Sequence, residues 1–344
     1  MKHSFEDYLN IYAKLVIHTG LKVKKDDTVQ ILGQVDQAPL IRLLSEYAYQ
    51  AGAKKVFIQW RDDQSNRLDQ TYQSIESLTE IPRYQIDEAE TLLEQRTKRL
   101  AIISSDPNHL QGLDPAKISA AQNALATALD KVRTAQQANA ISWTVIAAAS
   151  PKWAATVFPD LDTPQAQTDA LWQEIFKATR VYEENPEQAW EKHEATLNEK
   201  ANYLNHQQFD ALHYSAPGTD LTVGLPKNHI WESAGSLNQA GEHFVANMPT
   251  EEVFTAPDYH RAEGVVTATK PLSYGGIIID GMTFTFKEGA VTQVTAAKGE
   301  ETLKRLVENH QGGKFLGEVA FVPHSSPISA SGLIFNETLF DENA

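Results

Sequence analysis

The spacing of apolar residues in the first part of the chain switches between extended and helical periods. Two short runs rich in β-branched and aromatic residues, Thr28–Leu32 and Lys55–Trp60, are typical of strands. Between them, Pro39–Gln50 repeats apolar residues at helical spacing and ends just before Gly52. Together these segments predict a β-α-β unit.

The same alternation continues further along the chain. A strand, an alanine-rich helix and another strand are predicted over Leu100–Ile103, from Asp114-Pro115 to about Ala138, and over Ile141–Ala147. Aromatic and leucine residues between Trp153 and Leu204 then indicate helices. Because alternating strands and helices form parallel sheets covered by helices, we expect residues 1–205 to form an α/β domain with a doubly wound, mostly parallel sheet.

The pattern changes after about residue 205. A hairpin is predicted in ALHYSAPGTDLTVGL, with Pro217-Gly218 as its turn. Further short strands separated by glycines are predicted in GVVTATKPLSYGGIIIDGMTFTFKEGAVTQVTA, and an amphipathic helix ending at a glycine pair in GEETLKRLVENHQGG. We therefore expect residues 206–344 to form a strand-rich, mostly antiparallel α+β domain.

Length, charge and cysteine content limit the possible partners. With 344 residues the chain exceeds the size at which one hydrophobic core usually stops growing, which favours two domains. The formal net charge of −15 argues against nucleic acid and anionic membranes as partners, and it favours cations, including metal ions and ammonium groups. Because the chain has no cysteine, a metal ion has to be bound by carboxylates and imidazoles.

Several common sequence signals are absent. No apolar run approaches the length of a membrane span, and the first residues, MKHSFEDYLN, carry acids where a signal peptide is hydrophobic, so we expect a cytoplasmic protein. His193-Glu194 is not followed by the second histidine of a zinc-binding helix. The first predicted strand leads into LGQVDQAP, which lacks the glycine spacing of a dinucleotide site. We therefore interpret the α/β domain as a scaffold.

Two adjacent acids, Glu251 and Glu252, precede the extended apolar run Val253–Thr255. Neighbouring side chains of an extended segment point to opposite faces, so strand geometry alone does not bring both acids into one site. One can be a ligand while the other supports it or faces water. Adjacent acids of this kind are more commonly solvated, but Pro249 and Pro257 give the segment a rigid frame of the kind that holds a ligand.

A third acid, Glu318, lies in the apolar segment KFLGEVAFVP. The strand character of this segment predicts a partly buried carboxylate, which is costly unless a partner such as a metal ion compensates its charge. The alternative is a glutamate on the polar side of an edge strand. This segment by itself does not separate the two interpretations.

Three stretches together resemble consecutive motifs of the thermophilic-type metalloaminopeptidases, the family of aminopeptidases T and S: ANMPTEEVFTAPDYHRAEGVV, GKFLGEVAFVPHSSPI and SGLIFNETLFDENA. The resemblance covers nearly the whole chain. It implies a cytoplasmic homodimer that releases N-terminal residues from peptides. The resemblance also implies that two divalent metal ions, of Zn, Co, Mn or Mg, activate the attacking water molecule. By this resemblance Glu252 and Glu318 are metal ligands, and Glu251 is a supporting residue or proton acceptor. Whether Glu251 or Glu252 is the ligand stays open.

The end of the sequence departs from the family pattern. In the family, the motif around FDENA is followed by a metal-binding histidine, a tyrosine and a His-x-Asp pair, whereas this sequence ends at Ala344. The resemblance thus implies a second domain that is incomplete at its C-terminus. Because tight divalent sites use more ligands than two carboxylates, we expect little activity from this chain and cleavage of Leu- or Ala-type amides by a longer one.

Two hypotheses of different class follow. The first is a metal-dependent aminopeptidase whose partners are peptides with a free N-terminus, with neither nucleic acid nor membrane involved. The second is a catalytically incompetent fragment or peptide-binding remnant that lacks the C-terminal metal ligands.

Overall fold

A computed structural model describes residues 3–308 and 311–343 of the chain. The chain divides into two compact units, and each unit is built from two segments. The first unit comprises Met1–Lys192 and Gly235–Thr250, and the second comprises His193–Ala234 and Glu251–Ala344.

Helices and strands alternate in the first part of the chain, and strands predominate after residue 207. The helices are α1 Phe5–Leu15, α2 Ala38–Gln50, α3 Asp63–Tyr72, α4 Ile75–Thr79, α5 Arg83–Glu94, α6 Pro115–Ala128, α7 Asp130–Gln137, α8 Pro151–Val157, α9 Pro164–Ala178, α10 Pro186–Gln207, α11 Glu300–Glu308, α12 Pro327–Ser331 and α13 Thr338–Asp341. The strands are β1 Thr28–Gln34, β2 Lys55–Arg61, β3 Lys98–Ile103, β4 Trp143–Ala147, β5 Ala211–Ala216, β6 Thr219–Gly224, β7 Gly235–Leu237, β8 His243–Val245, β9 Asn247–Met248, β10 Val253–Thr255, β11 Ala262–Thr267, β12 Leu272–Tyr274, β13 Ile277–Ile279, β14 Thr283–Lys287, β15 Ala290–Thr295 and β16 Val319–Phe321. Within residues 3–308 and 311–343, no helix combines the length and apolar character of a membrane span.

The first unit contains a parallel sheet with the strand order β2-β1-β3-β4-β9. Strand β1 lies inside the sheet, with β2 on one side and β3 on the other. After β1 the chain forms β2 on one side of it, and it then crosses to the other side to form β3 and β4. This change of direction is the doubly wound arrangement. Because β1 is covered by helices, Val29 and Ile31 are completely buried. The predicted α/β fold of this part of the chain is confirmed.

The predicted alanine-rich helix begins as expected but is two helices. Asp114 accepts a hydrogen bond from the backbone N–H of Ala116 at 2.9 Å, and Pro115 occupies the first turn of α6. Leu129 leaves the helical conformation, with φ of −104° and ψ of 16°, and separates α6 from α7. The alanine content of this segment predicts one continuous helix and gives no sign of the break at Leu129.

The second unit contains an antiparallel sheet with the strand order β15-β14-β11-β6-β5. Strands β5 and β6 form the predicted hairpin, and Gly218 in its turn has φ of +76°, which glycine adopts without steric cost. Leu221 and Val223 of β6 alternate into a buried core with Phe286 of β14. The predicted strand-rich second part is confirmed.

A separate pair of short strands, β10 and β16, runs antiparallel in the second unit. Val253 lies opposite Phe321, and Phe254 lies opposite Ala320. Val253 and Val319 are buried in the same core as β6. This pair positions the candidate acids, because Glu252 and Glu318 immediately precede its two strands.

The predicted amphipathic helix near residue 300 is α11, which buries Leu303 and Val307. Its expected continuation to the glycine pair at Gly312 includes residues 309 and 310, which lie outside the described residues.

The two compact units differ from the expected division between residues 205 and 206. Strand β9 pairs with β4 in the first sheet, with Asn247 opposite Val145, so the segment Gly235–Thr250 belongs to the first unit. On the other side, the division at Lys192 falls within α10. A hydrophobic pattern read along the chain does not show that a later segment returns to an earlier sheet.

Candidate metal centre in the second unit

Glu252 is the most unusual acid of the second unit. It is only 5% exposed, and its Oε2 atom has no hydrogen-bond partner among the residues that the structure describes. Burial, together with the negative charges of Glu342 and Glu318, raises the pKa of Glu252 to about 8. A buried carboxylate oxygen without a donor is costly, and a cation is one of the few partners that compensates it.

Glu318 lies on the same face of the strand pair as Glu252. Phe254 and Ala320 are directly opposite each other, and Glu252 and Glu318 precede them by two residues each. Side chains two residues apart in extended backbone share a face, so both acids lie on the same face of the pair, but the antiparallel register places them beyond its opposite ends. The charge of Glu318 still contributes to the raised pKa of Glu252.

Glu318 has features of both sequence interpretations, the partly buried carboxylate and the glutamate on the polar side of a strand. The residue keeps an exposed surface, as expected for the polar side of a strand. Nearby protein atoms nevertheless remove part of the hydration of its carboxyl group and raise its pKa.

Glu342 is a third acid of this cluster, and the sequence analysis did not select it. It directly follows α13 and keeps an exposed surface. Partial burial, with the charges of Glu318 and Glu337, raises the pKa of Glu342 to about 7. Its only signal in the sequence is its position in the FDENA motif, where it stands beside a second acid, Asp341.

Glu251 occupies a different position from Glu252. Its backbone N–H donates a hydrogen bond to Oδ1 of Asn343 at 2.6 Å. Its Oε2 atom lies 3.8 Å from Nε2 of His193, and Glu251 itself is 2% exposed. The backbone and side chain of Glu251 are thus both in contact with neighbouring segments, as expected of a residue that supports the position of the next one.

The carboxylates fit part of a metal site. Among the residues described, no group of three or more His, Asp or Glu side chains is close enough to hold a metal ion. However, the donor set of Glu252, Glu318 and Glu342 consists of oxygens, which hard divalent cations prefer, and the buried Oε2 of Glu252 has no hydrogen-bond partner among the described residues. These residues can therefore supply the carboxylate ligands of a divalent metal site.

Asn343 holds the segment before β10 in place. It is completely buried, and its Nδ2 donates to the carbonyl of Leu339 at 3.1 Å while its Oδ1 accepts from Glu251. We expect Asn343→Ala to lower the free energy of unfolding by about 2–4 kcal/mol, because a buried N–H and a buried carbonyl both lose their partner. Calorimetric unfolding of the purified protein measures this loss.

The matched control for that variant is Asn202→Ala, at an exposed position in the middle of α10. Alanine has the higher helix propensity, so the control is expected to unfold at the same temperature as the parent or slightly higher. Equal destabilisation by both substitutions would contradict the anchoring role of Asn343.

The acid cluster predicts that the metal-free protein becomes less stable as the pH rises. The pKa of Glu252 is raised to about 8 and those of Glu337 and Glu342 to about 7, all above the values of an unfolded chain. Between about pH 4.5 and pH 8, the unfolded chain therefore loses these protons more readily than the folded one, and folding stability decreases. In the presence of a chelator we expect a lower melting temperature at pH 8 than at pH 5.5.

Glu252→Gln provides the comparison for this pH series. Glutamine does not titrate, so the variant should lose less stability than the parent over the same range. Parallel curves for the two proteins, or a parent whose stability rises toward pH 8, would show that Glu252 does not titrate as described.

A doubly wound unit, and an antiparallel unit whose clustered carboxylates include a buried oxygen without a hydrogen-bond partner among the described residues, fit the class of a metal-dependent hydrolase. The family model described as Thermophilic metalloprotease (M29) matches residues 5–344. The chain belongs to this family, and the enzyme class expected from the sequence motifs is confirmed.

Named relatives agree with this assignment. The chain is similar to aminopeptidase PepS of Streptococcus thermophilus, with 50% identity over 99% of this chain and 83% of the relative. It is also similar to aminopeptidase AmpS of Bacillus subtilis, with 46% identity and the same coverage. The solved structure of wild-type AmpT from Thermus thermophilus matches with a TM-score of 0.91 and 39% identity, over 99% of this chain and 84% of that one.

These comparisons favour the enzyme over the alternative of an inactive fragment or peptide-binding remnant. They do not confirm the expected truncation. The roles assigned to Glu251, Glu252 and Glu318 stay predictions.

Proposed function

We propose that this protein is a metal-dependent aminopeptidase that releases N-terminal residues from peptides. The observation that carries the proposal is the buried carboxylate of Glu252, whose Oε2 has no hydrogen-bond partner within residues 3–308 and 311–343 and whose pKa the charges of Glu342 and Glu318 help to raise. Membership of a metalloprotease family and similarity to proteins named aminopeptidases support it.

In this proposal Glu252, Glu318 and Glu342 hold the cations through their carboxylates. Two divalent ions bound there would supply a Lewis acid for the scissile carbonyl and would lower the pKa of a water molecule toward neutrality. Because the pKa of Glu252 is about 8, this residue carries a proton near neutral pH and has to release it when a cation binds. Glu251, beside His193, supports this segment or accepts a proton.

A free α-amino group distinguishes the peptide terminus from the amides further along the peptide. Its pKa is about 7.7–8.0, so it can bind a metal ion in its neutral form, which backbone amides cannot do. The net charge of −15 on the protein attracts the protonated form during encounter. We therefore propose peptides with a free N-terminus as substrates, and a homodimer as the assembly that the family resemblance implies.

Blocking the substrate's amino group tests the exopeptidase assignment. We expect leucine p-nitroanilide to be cleaved about tenfold faster or more than its N-acetylated form, because acetylation removes the basic amine through which the substrate terminus is recognised. Absorbance of released p-nitroaniline measures both rates in the same metal-supplemented buffer. Equal rates for the two substrates would rule out recognition of the free N-terminus and with it the aminopeptidase proposal.

A further inference from the structure

A crevice of about 780 Å³ lies in the first unit, at the carboxyl ends of the parallel strands. Gln34 ends β1, and Ser104 directly follows β3. In doubly wound sheets, ligands bind outside the carboxyl ends of the strands where the chain reverses its winding direction. Here that point lies between β1 and β3, so the crevice occupies the position where such folds bind small molecules.

The walls of this crevice include buried polar side chains. Gln34, Ser104 and Ser150 line it and are 7%, 2% and 3% exposed. Gln34 is held by its Nε2, which donates to Asp63 and to Ser105 at 2.8 Å each. The hydroxyl of Ser104 has no hydrogen-bond partner in the described part of the chain. A buried hydroxyl without a partner destabilises the fold, and a hydrogen bond from a bound ligand would remove that cost.

The rim of the crevice is predominantly acidic. Its aspartates outnumber its cations, and the charged groups that line it are Asp36, Asp62, Asp63, Asp106, Arg67 and Lys152, with His109 as a further titratable group. Arg67 already donates to the carbonyls of His109 and Gln111 at 2.6 and 3.1 Å. The site therefore favours a positively charged group in its ligand.

Asp36 is the acid that is most available to such a group. Asp63 accepts hydrogen bonds from Gln34 and from the backbone N–H of Asp106, and Asp62 accepts from the first turn of α3. Asp36 is exposed at the rim, although nearby protein atoms remove part of the hydration of its carboxyl group. This loss of hydration and the charges of Asp63 and Asp62 raise the pKa of Asp36. A positive partner would reverse this effect.

We propose that this crevice binds a small molecule that carries a primary ammonium group, of the class of free amino acids and simple amines. The ammonium group contacts Asp36, and a polar group of the ligand bonds the hydroxyl of Ser104. A metal ion is disfavoured, because no group of three acids or histidines in residues 3–308 and 311–343 is close enough to hold one. The LGQVDQAP loop contains one glycine, Gly33, and lacks the glycine spacing of a pyrophosphate site, which disfavours a dinucleotide.

Isothermal titration calorimetry on the full chain tests this site without interference from the second unit. The protein carries Glu252→Gln and Glu318→Gln and is kept in chelator, so that the candidate metal centre is inactive. The probes are L-leucine, 1,4-diaminobutane and N-acetyl-L-leucine, which separate amino acids, simple amines and a ligand without an ammonium group. We expect saturable binding of at least one of the first two, and none of the third.

Two further substitutions locate the binding. Asp36→Asn and Ser104→Ala are each expected to weaken binding about 3- to 10-fold, while Asp160→Asn, an exposed aspartate of the same unit, leaves it unchanged. Ser104→Ala should not lower the melting temperature, because it removes a hydroxyl that has no hydrogen-bond partner among the described residues. This separates loss of a ligand contact from loss of the fold.

Other outcomes overturn the proposal. The first is the absence of binding heat with both L-leucine and 1,4-diaminobutane. The second is that N-acetyl-L-leucine binds as tightly as L-leucine, and the third is that Asp36→Asn and Ser104→Ala leave the affinities unchanged. Binding of Mg²⁺ that depends on Asp36, without binding of either amine, would assign a cation site instead. None of these results depends on peptidase activity, so the proposed function is tested separately.

Discussion

Replacement of Glu252 by glutamine is expected to reduce peptide cleavage about 1000-fold or more and to weaken divalent metal binding in parallel. Glutamine has nearly the shape of glutamate but no negative charge, and the buried position of Glu252 leaves little room for another ligand to take its place. Initial rates with leucine p-nitroanilide and calorimetric titration with Mn²⁺ or Zn²⁺ measure the two effects. The second measurement detects the loss of a ligand even where turnover is low.

Glu301→Gln is the matched control. Glu301 belongs to α11 in the same unit, and its side chain is 77% exposed beside Lys304. Exposed ion pairs of this kind contribute little, so the control is expected to retain activity, metal affinity and stability. Unchanged metal affinity of the Glu252 variant would exclude Glu252 as a ligand. Glu251 would then be the candidate ligand, which is the alternative that the sequence left open.

Removal of divalent cations by a chelator is expected to abolish the aminopeptidase activity, by about 100-fold or more, and addition of Zn, Co, Mn or Mg is expected to restore it. The carboxylate donors set this requirement, because burial and their mutual charges raise the pKa of Glu252 and of Glu342, and a bound cation would compensate the charges of the ionised groups. Dialysis against EDTA followed by titration with each metal, with activity as the readout, identifies the cation that restores most activity.

Thermal unfolding before and after metal addition serves as the control for that experiment. A cation that binds the folded cluster raises the melting temperature by mass action, even without substrate. Activity that persists in chelator, with a melting temperature that metals do not change, would be incompatible with a metallopeptidase.

Much of the fold was predictable because local patterns and tertiary structure agree. The strands at Thr28 and Lys55 and the hairpin at Pro217-Gly218 lie where their residue patterns predict them. The break at Leu129 and the return of Asn247 to the first sheet were not predicted. Both depend on how a segment packs against distant parts of the chain, which its own sequence does not show.

The candidate site shows the same division. Glu252 and Glu318 were selected from their apolar surroundings and motif resemblance, and the register of β10 with β16 brings them to one face. Glu342 was missed because its short segment contains two adjacent acids and no periodicity that distinguishes them. Asn343 was missed for a similar reason, since a buried anchoring role depends on its distant partner, the backbone of Glu251.

The sequence by itself determined the order of elements, the two kinds of sheet, the absence of thiol chemistry and the acids from which metal ligands were chosen. These follow from local periodicity and from which residue types are present. Only the tertiary structure decided which acids influence one another, which carboxylate oxygen is buried without a hydrogen-bond partner in the described part of the chain, and that Gln34, Val35 and Asp36 line a crevice. The physical reason is that burial and charge–charge interactions depend on distances in space between residues that are far apart along the chain.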